Sequence, residues 1–473
     1  MAKTSLPPPE KIDPEQAWQP WQPSDADPWD LKWAGHLYRR AGFGATPAEL
    51  HAAVKDGLPA TFDRLFRTDA EAEERYQFLT VNGERVAGQN NAYQLRGWWL
   101  YAMLNTLQPA REKLALFWHN HFATSIAKVQ RTGLMYGQNR LLRQHALGKF
   151  GPFLQAISKD PAMLVWLDNN SNVKSHPNEN YAREVMELFT LGTGNYTEHD
   201  IREAARAFTG WHTDGDQFDF NPSLHDFGQK TVLGQTGNWN GDDVVRILLE
   251  QPAASRFLVR KLYHYLVSEA HEPSPALLEP LAAAFRKSDY DIGALVKTML
   301  RSRLFFSEHA YRQRIKCPVE YVVCAVRSVG QGFVSPQSLV KKLEAMGQDL
   351  FAPPNVKGWV MGRAWLNTAT VLARANFAQS LAAGTGQLNL SDPTATIGVA
   401  VDPAALLRRE GVTDPVRIVA YLAEVLLDGE LGDAARARLI AYVAEGKPQG
   451  PALDQRVRDA VHSIMTMPEY ELA

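Results

Sequence analysis

Residues 110–125 read AREKLALFWHNHFATS. Leu114, Phe117, Trp118, His121 and Phe122 fall at the three- and four-residue intervals that place side chains on one face of a helix. Outward from this stretch, as far as residue 210, nearly everything reads as helix. The predicted segments lie near 48–56, 59–67, 93–107, 110–125, 132–146, 150–158, 162–167, 179–191 and 198–209. Helix-start signals agree with this reading. Asp27-Pro28 is an N-cap followed by proline at the first helical position, and Thr46-Pro47-Ala48-Glu49 repeats the signal with a capping box. The strand–helix alternation of a parallel α/β sheet is absent. The expected fold is mainly α, a large multi-helical chain.

Residues 211–241 break the helical pattern with alternating polar and apolar residues among glycines and asparagines. They predict a small β-hairpin insertion near 215–235, with strands near 217–220 and 230–233. Helices resume after Asp242 and run to about residue 330. FAPPNVKGWVMGRAW at 351–365 reads as an irregular loop, with further helices near 335–346, 367–383, 403–409, 414–428, 431–445 and 453–465. Residues 1–28, rich in Pro and Trp, read as an extended arm without helix, pinned by Trp18 and Trp21. The expected organisation is this arm, a helical core at 29–383, a linker at 384–402 and a C-terminal helical region at 403–473 packed on the core.

In 473 residues, 45% hydrophobic and 22% charged is ordinary globular composition, which excludes wholesale disorder. Lys plus Arg is 50 against 52 for Asp plus Glu, so no basic footprint for nucleic acid exists. No apolar run is long enough to span a membrane as a helix. Cys317 and Cys324, seven positions apart on one predicted helix, are separated by roughly 10 Å, too far for a disulfide. MAKTSLPPPEK lacks the apolar segment of a signal peptide, so the expected location is cytoplasmic, or periplasmic or exported if a leader has been removed.

Three clusters carry polar residues where apolar ones are expected. In Phe117-Trp118-His119-Asn120-His121-Phe122, His119 and His121 point about 200° apart on an intact helix. They share an ion only if the helix ends or distorts there; otherwise His121 is a core histidine. The second cluster is Asp168-Asn169-Asn170-Ser171-Asn172 with the helix start His176-Pro177-Asn178-Glu179-Asn180. Asn178 reads as an N-cap, and Glu184 borders an apolar stripe, where it needs a metal or a partner such as Arg183. Asp168, Asn170, Asn172 and Glu179 follow the spacing of a calcium loop, but Val173 stands where that loop requires glycine. The third cluster is His225-Asp226-Phe227-Gly228-Gln229-Lys230, either a ligand pair or a turn closing the hairpin. GxSxG, P-loop, HExxH, paired CxxC and strand-linked GxGxxG motifs are all missing.

With these clusters, the blocks HLYRRAGFG (36–44), PNENYAREVMELFTLG (177–192), YTEHDIREAARAFTGW (196–211), HDFGQKTVLG (225–234), RKLYHYLV (260–267), KCPVEYVV (316–323) and PPNVKGWVMGRAWLN (353–367) resemble the bacterial domain-of-unknown-function family 1800. The resemblance runs from about residue 33 to the C-terminus. It implies frequent export and a protein partner resembling sulfatases or phosphatases, and it says little about a reaction.

The leading functional expectation is a metal-dependent enzyme, hydrolytic or oxidative. His121, Glu184, His225 and Asp226 would hold Zn, Fe, Mn or Cu, because imidazole with carboxylate suits these ions. Glu179, His119, Asn178 and Lys230 would serve as base or substrate-polarising groups. The alternatives are a metal-free enzyme acting on a glycan or other small molecule, with Gly237-Asn238-Trp239-Asn240 stacking sugars, and a non-catalytic binding protein with a buried His/Asn/Glu network.

Overall fold

The helix Pro109–His121 starts on a proline, which lacks the N–H that a first turn cannot use, and ends at Phe122. It lies between two hydrophobic cores. Leu114, Phe117 and Trp118 join a core built largely from residues before 311, while Ala115 and Leu116 join one formed with residues 317–329 and the C-terminal helices. Trp118 is wholly buried and donates its indole N–H to the Ala146 carbonyl at 3.0 Å. This computed structural model describes residues 12–329, 336–383 and 402–473. The described residues are 64% helical, with two small antiparallel hairpins among them, and the fold is mainly α.

Several expectations need correction. The N-terminal arm is not free of helix: Asp13 caps a turn at Pro14–Ala17. Beyond it, Trp18 donates to the Leu277 carbonyl at 2.7 Å, and Trp21 stacks on Phe306. The helix Ala70–Ala87 was not predicted. Its buried stripe is Ala72, Tyr76, Leu79, Thr80, Gly83 and Ala87, mostly small or polar residues that give a weak apolar signal. At Gly83 a Cβ would lie 2.4 Å from the Tyr136 ring, so the small residue is what lets the helices approach. The helix expected at 179–191 changes winding: Asn180–Glu184 is α and Val185–Thr190 is π.

The single hairpin is replaced by two. Trp211–Asp214 (β1) pairs with Gln217–Phe220 (β2), and Lys230–Val232 (β3) pairs with Gln235–Gly237 (β4), all antiparallel. The predicted strand segments exist, but each pairs with its immediate neighbour. Leu233 and Gly234 both take positive φ, the backbone of a tight two-residue hairpin turn, which brings β4 back onto β3.

The C-terminal helices Pro415–Leu427 and Pro451–Met465 pack in the second core with Pro318–Val329. The chain end is tied in as well: Ala473 donates to the Arg314 carbonyl at 2.8 Å, and Lys316 donates to that of Glu471 at 2.8 Å. This fixes the backbone around Arg314. The expected linker lies outside the described residues except for Asp402, which caps Pro403–Arg409. Cys317 and Cys324 are free and buried.

Candidate ligand pocket

Successive helical residues point about 100° apart, so His119, Asn120 and His121 face three directions. His119 Nε2 accepts the Phe351 N–H at 3.1 Å. Asn120 Oδ1 accepts the Trp359 N–H at 2.6 Å. These two bonds hold the 351–365 loop against the helix. Gly358, at φ 83°, makes the approach possible, because a Cβ there would sit 2.6 Å from the Asn120 carbonyl oxygen. His121 turns the other way. Its Nε2–H donates to the Phe189 carbonyl at 3.1 Å, which leaves Nδ1 as a buried lone pair with no partner.

The helix, the loop and Pro252–Leu266 enclose a cavity of about 420 Å³. Phe117, Tyr265, Trp359 and Trp365 supply apolar wall, and Lys261, Glu269 and Arg314 supply charge. The Arg314 charge is matched. Glu320 accepts from it at 3.0 and 3.3 Å, accepts the Cys317 N–H at 2.9 Å and is bonded by Lys113. Burial by itself would raise the Glu320 carboxyl, but Arg314 and Lys113 outweigh burial and hold it well below the usual range. Glu269 adds a contact to Arg314 at 3.7 Å.

Lys261 differs. Among the described residues its ammonium has no hydrogen-bond or ion-pair partner; the Phe257 ring, 5.3 Å away, is its recorded neighbour. Burial lowers its pKa to about 8. Burial also keeps His121 neutral, and the nearby Lys261 charge reinforces that effect. The Cys317 thiol in the same wall is pushed up to about 12, by burial and then by Glu320, so it stays protonated.

The other two sequence clusters meet each other, on a different part of the chain. Asn169 donates to the Trp211 carbonyl at 2.8 Å and Asn172 to that of Ala205 at 2.9 Å. Gly210 donates to the Asn172 carbonyl at 3.0 Å and Lys174 to that of Leu224 at 2.8 Å. His225 Nδ1–H donates to the Thr209 carbonyl at 2.8 Å. Asp226 is held by Arg206 at 2.7 Å and accepts the Gly228 N–H at 2.8 Å, and Lys230 donates to the Gly228 carbonyl at 2.9 Å. These bonds dock the first hairpin on the Asx loop, whereas the second sits on the helix Glu198–Ala207, where Glu203 accepts the Thr231 N–H at 2.9 Å and Asp200 that of Leu233 at 2.7 Å. Asn178 donates to Ser171 at 3.0 Å, and its N–H goes to Asn172 at 2.8 Å. Glu179 pairs with Arg183 at 3.1 Å. Asp168, first position of the calcium-like spacing, is paired with Lys128 at 2.8 Å. Trp239 gives no free stacking platform: its indole donates to Gln235, one face meets Gly237 and Arg246 lies 5.4 Å from the ring.

The expected metal set does not form. Among the described residues, no three His, Cys, Asp or Glu side chains are grouped so as to hold a metal ion. His121 and His225 each donate one ring N–H to a backbone carbonyl, which leaves the other nitrogen as a lone pair, but the Asp226 carboxylate is taken by Arg206. Glu184 is half-buried and its carboxyl is raised, by burial first and by Glu187 second. The residues present therefore do not fit the group that the sequence suggested. His119, Asn178, Glu179 and Lys230 likewise make bonds that hold the fold.

The family model described as "Protein of unknown function (DUF1800)" matches residues 36–472. The chain belongs to that family. No curated protein and no solved structure matches it. Four of the DUF1800-like blocks, beginning at residues 117, 260, 316 and 353, contribute to the pocket wall. The sequence reading of the polar clusters passed over Lys261. Its signal was spacing: it lies three residues after Leu258 and four before Tyr265, a charge on a buried stripe.

Proposed function

We propose that this DUF1800 chain binds a small organic anion with an apolar body in the 420 Å³ pocket, and that its activity resides there. The observation that carries this is the unpartnered Lys261 ammonium in a largely apolar wall. Lys261 is part-exposed to the cavity, so solvent relieves part of the several kcal/mol that an isolated buried charge costs, and a ligand carboxylate or sulfonate that pairs with it relieves the rest. The aromatic walls supply the remaining affinity by burying the ligand's apolar surface. The pocket is favoured over a metal-dependent reaction at His121, Glu184, His225 and Asp226 because no three His, Cys, Asp or Glu side chains among the described residues are grouped to hold an ion, and Arg206 already occupies the Asp226 carboxylate.

The test is titration of the full chain with anilinonaphthalene sulfonate, followed by fluorescence, beside its neutral parent anilinonaphthalene. Saturable binding to one site is expected, with the sulfonate preferred. Lys261→Met should weaken the sulfonate about tenfold, equivalent to roughly 1.4 kcal/mol, and leave the neutral compound unchanged. Equal sulfonate affinity in the variant would overturn the reading.

A further inference from the structure

We infer that Lys261 is a nucleophile that condenses with an aldehyde or ketone ligand in the pocket to form an imine; this rests on the pocket reading above and goes beyond it by naming the ligand's reactive group, the initial ion pair at Lys261 giving way to the C–N bond. The inference begins from a contrast among lysines. Lys32 is paired with Glu308 at 2.7 Å. Lys113 donates to the Arg39 carbonyl at 3.0 Å and pairs with Glu320. Lys230 donates to the Gly228 carbonyl, and Lys316 to that of Tyr470 at 2.6 Å. Each of these ammonium groups is held by an oxygen that a ligand would have to displace, although burial lowers Lys113, Lys230 and Lys316 as well, Lys316 to about 8. Lys261 lines a cavity and has no such oxygen among the described residues.

Amine nucleophiles are activated when an apolar pocket desolvates the ammonium. With the pKa of Lys261 near 8, about a quarter of it is free amine at pH 7.5, against about a thousandth of an ordinary lysine. The other titratable or charged groups facing the pocket are His121, His264, Tyr265, Glu269, Arg314, Cys317 and Arg363. His264 engages Ser268 and Glu272 through its two ring nitrogens, and Arg314 is engaged by Glu320. The Cys317 thiol, raised to about 12, does not compete for the carbonyl.

The step balances without an outside oxidant or reductant. The ammonium first loses a proton to solvent. The amine lone pair then attacks the carbonyl carbon, forming a C–N bond and a carbinolamine. The carbinolamine hydroxyl, which carries the proton moved from nitrogen, takes a second proton from solvent and leaves as water, and the protonated imine then gives one proton back to solvent. The net change is amine plus carbonyl to imine plus water. Apolar walls slow the reverse hydrolysis by limiting water.

The experiment incubates the full chain with 4-formylbenzoate and sodium cyanoborohydride, then locates the reduced adduct by peptide mass mapping. Exposed Lys357 serves as the internal reference. Trapping at Lys261 is expected at least tenfold faster than at Lys357, with the Lys261 rate rising to half its plateau near pH 8. Lys261→Arg keeps the charge and removes the nucleophile. It should still bind anilinonaphthalene sulfonate and show no adduct at position 261, with Lys357 labelled as before. Labelling of Lys261 no faster than of Lys357, in a chain that binds the sulfonate, overturns the imine and leaves the pocket reading standing. Failure of both binding and trapping overturns the two together.

Discussion

Asn120 Oδ1 accepts the backbone N–H of Trp359 at 2.6 Å, joining a helix end to a loop 239 positions later. Beside it, His119 accepts from Phe351 in the same loop. Both side-chain acceptors are committed to the loop backbone, and Asn120 also lines the pocket. They set the distance between the Phe117 face and the Trp359 wall, and so they set the shape of the pocket.

Asn120→Ala is therefore expected to loosen the loop without unfolding the chain. Leaving a backbone N–H unsatisfied costs about 1–3 kcal/mol. Limited proteolysis should show new cleavage within 351–365, and sulfonate affinity should fall. Gly358→Ala should be worse than Asn120→Ala, because it combines a positive φ with a Cβ 2.6 Å from a backbone oxygen. Unchanged cleavage in both variants would show that the loop is held by other contacts.

A second prediction concerns Asp160, which caps Pro161–Trp166 and accepts from Gln138 at 2.8 Å. Burial raises its pKa from 3.8 to about 7. The folded chain then holds a proton that the unfolded chain releases between about pH 4 and 7. This group's contribution to stability therefore falls as pH rises through that window. Asn is an equally good N-cap and has no charge to bury. Asp160→Asn should be more stable than the parent at pH 8, by a few kcal/mol at most, and nearly equal to it at pH 4.5. Denaturant titrations at the two pH values check this, and a variant less stable at pH 8 would sink it.

The main helices were legible because large apolar side chains recur at helical intervals, as at Leu114, Phe117 and Trp118. The helix Ala70–Ala87 was not, because Thr80, Gly83 and Ala87 form its contact face by being small. The strands near 217 and 230 were visible as alternation. Their partners were not, since pairing turned on Leu233 adopting a positive φ that its residue type disfavours. The polar clusters stand out in the sequence as polar residues where apolar ones are expected. What each polar atom meets is decided by tertiary structure: His121 meets a carbonyl and His225 another. An imidazole that donates to a carbonyl and one that ligates a metal look alike in sequence. Lys261 inverts that lesson, since its distinction is a partner that it lacks.

Acid should destabilise the chain through its buried histidines. Burial lowers His119 to about 3 and puts His36 and His121 well below 6.5. Each stays neutral in the folded chain while its unfolded counterpart gains a proton below about pH 6.5, so stability is lost as pH falls. The limiting slope is about 1.4 kcal/mol per pH unit for each histidine. Asp160 and Asp349, raised by burial to about 7 and about 6, work in the opposite direction over the same range, while His145 and His225, lowered by burial, add to the loss. His119→Gln keeps an acceptor for Phe351 and should reduce the slope between pH 6 and 5 by about one proton. An unchanged slope would mean that His119 is protonated in the folded chain.

The last prediction separates a charge network from a binding site. Glu320 is the shared acceptor for Lys113 and Arg314, all three being buried. Glu320→Gln keeps the shape and removes the negative charge, leaving two cations with their desolvation uncompensated. Breaking such a group costs about 3–5 kcal/mol, and Arg40, buried beside Arg314 with its Nε and Nη1 unpartnered, adds repulsion. Lys261→Met does the reverse by removing a charge that has no partner, so it should leave the melting temperature unchanged or raise it. The informative comparison is therefore the pair of variants in one calorimetric series. A large loss for Glu320→Gln with no loss for Lys261→Met would mark the first as part of the fold and the second as part of the site. A comparable loss for Lys261→Met would mean that its ammonium has a structural role, and the pocket would then have to be explained without it.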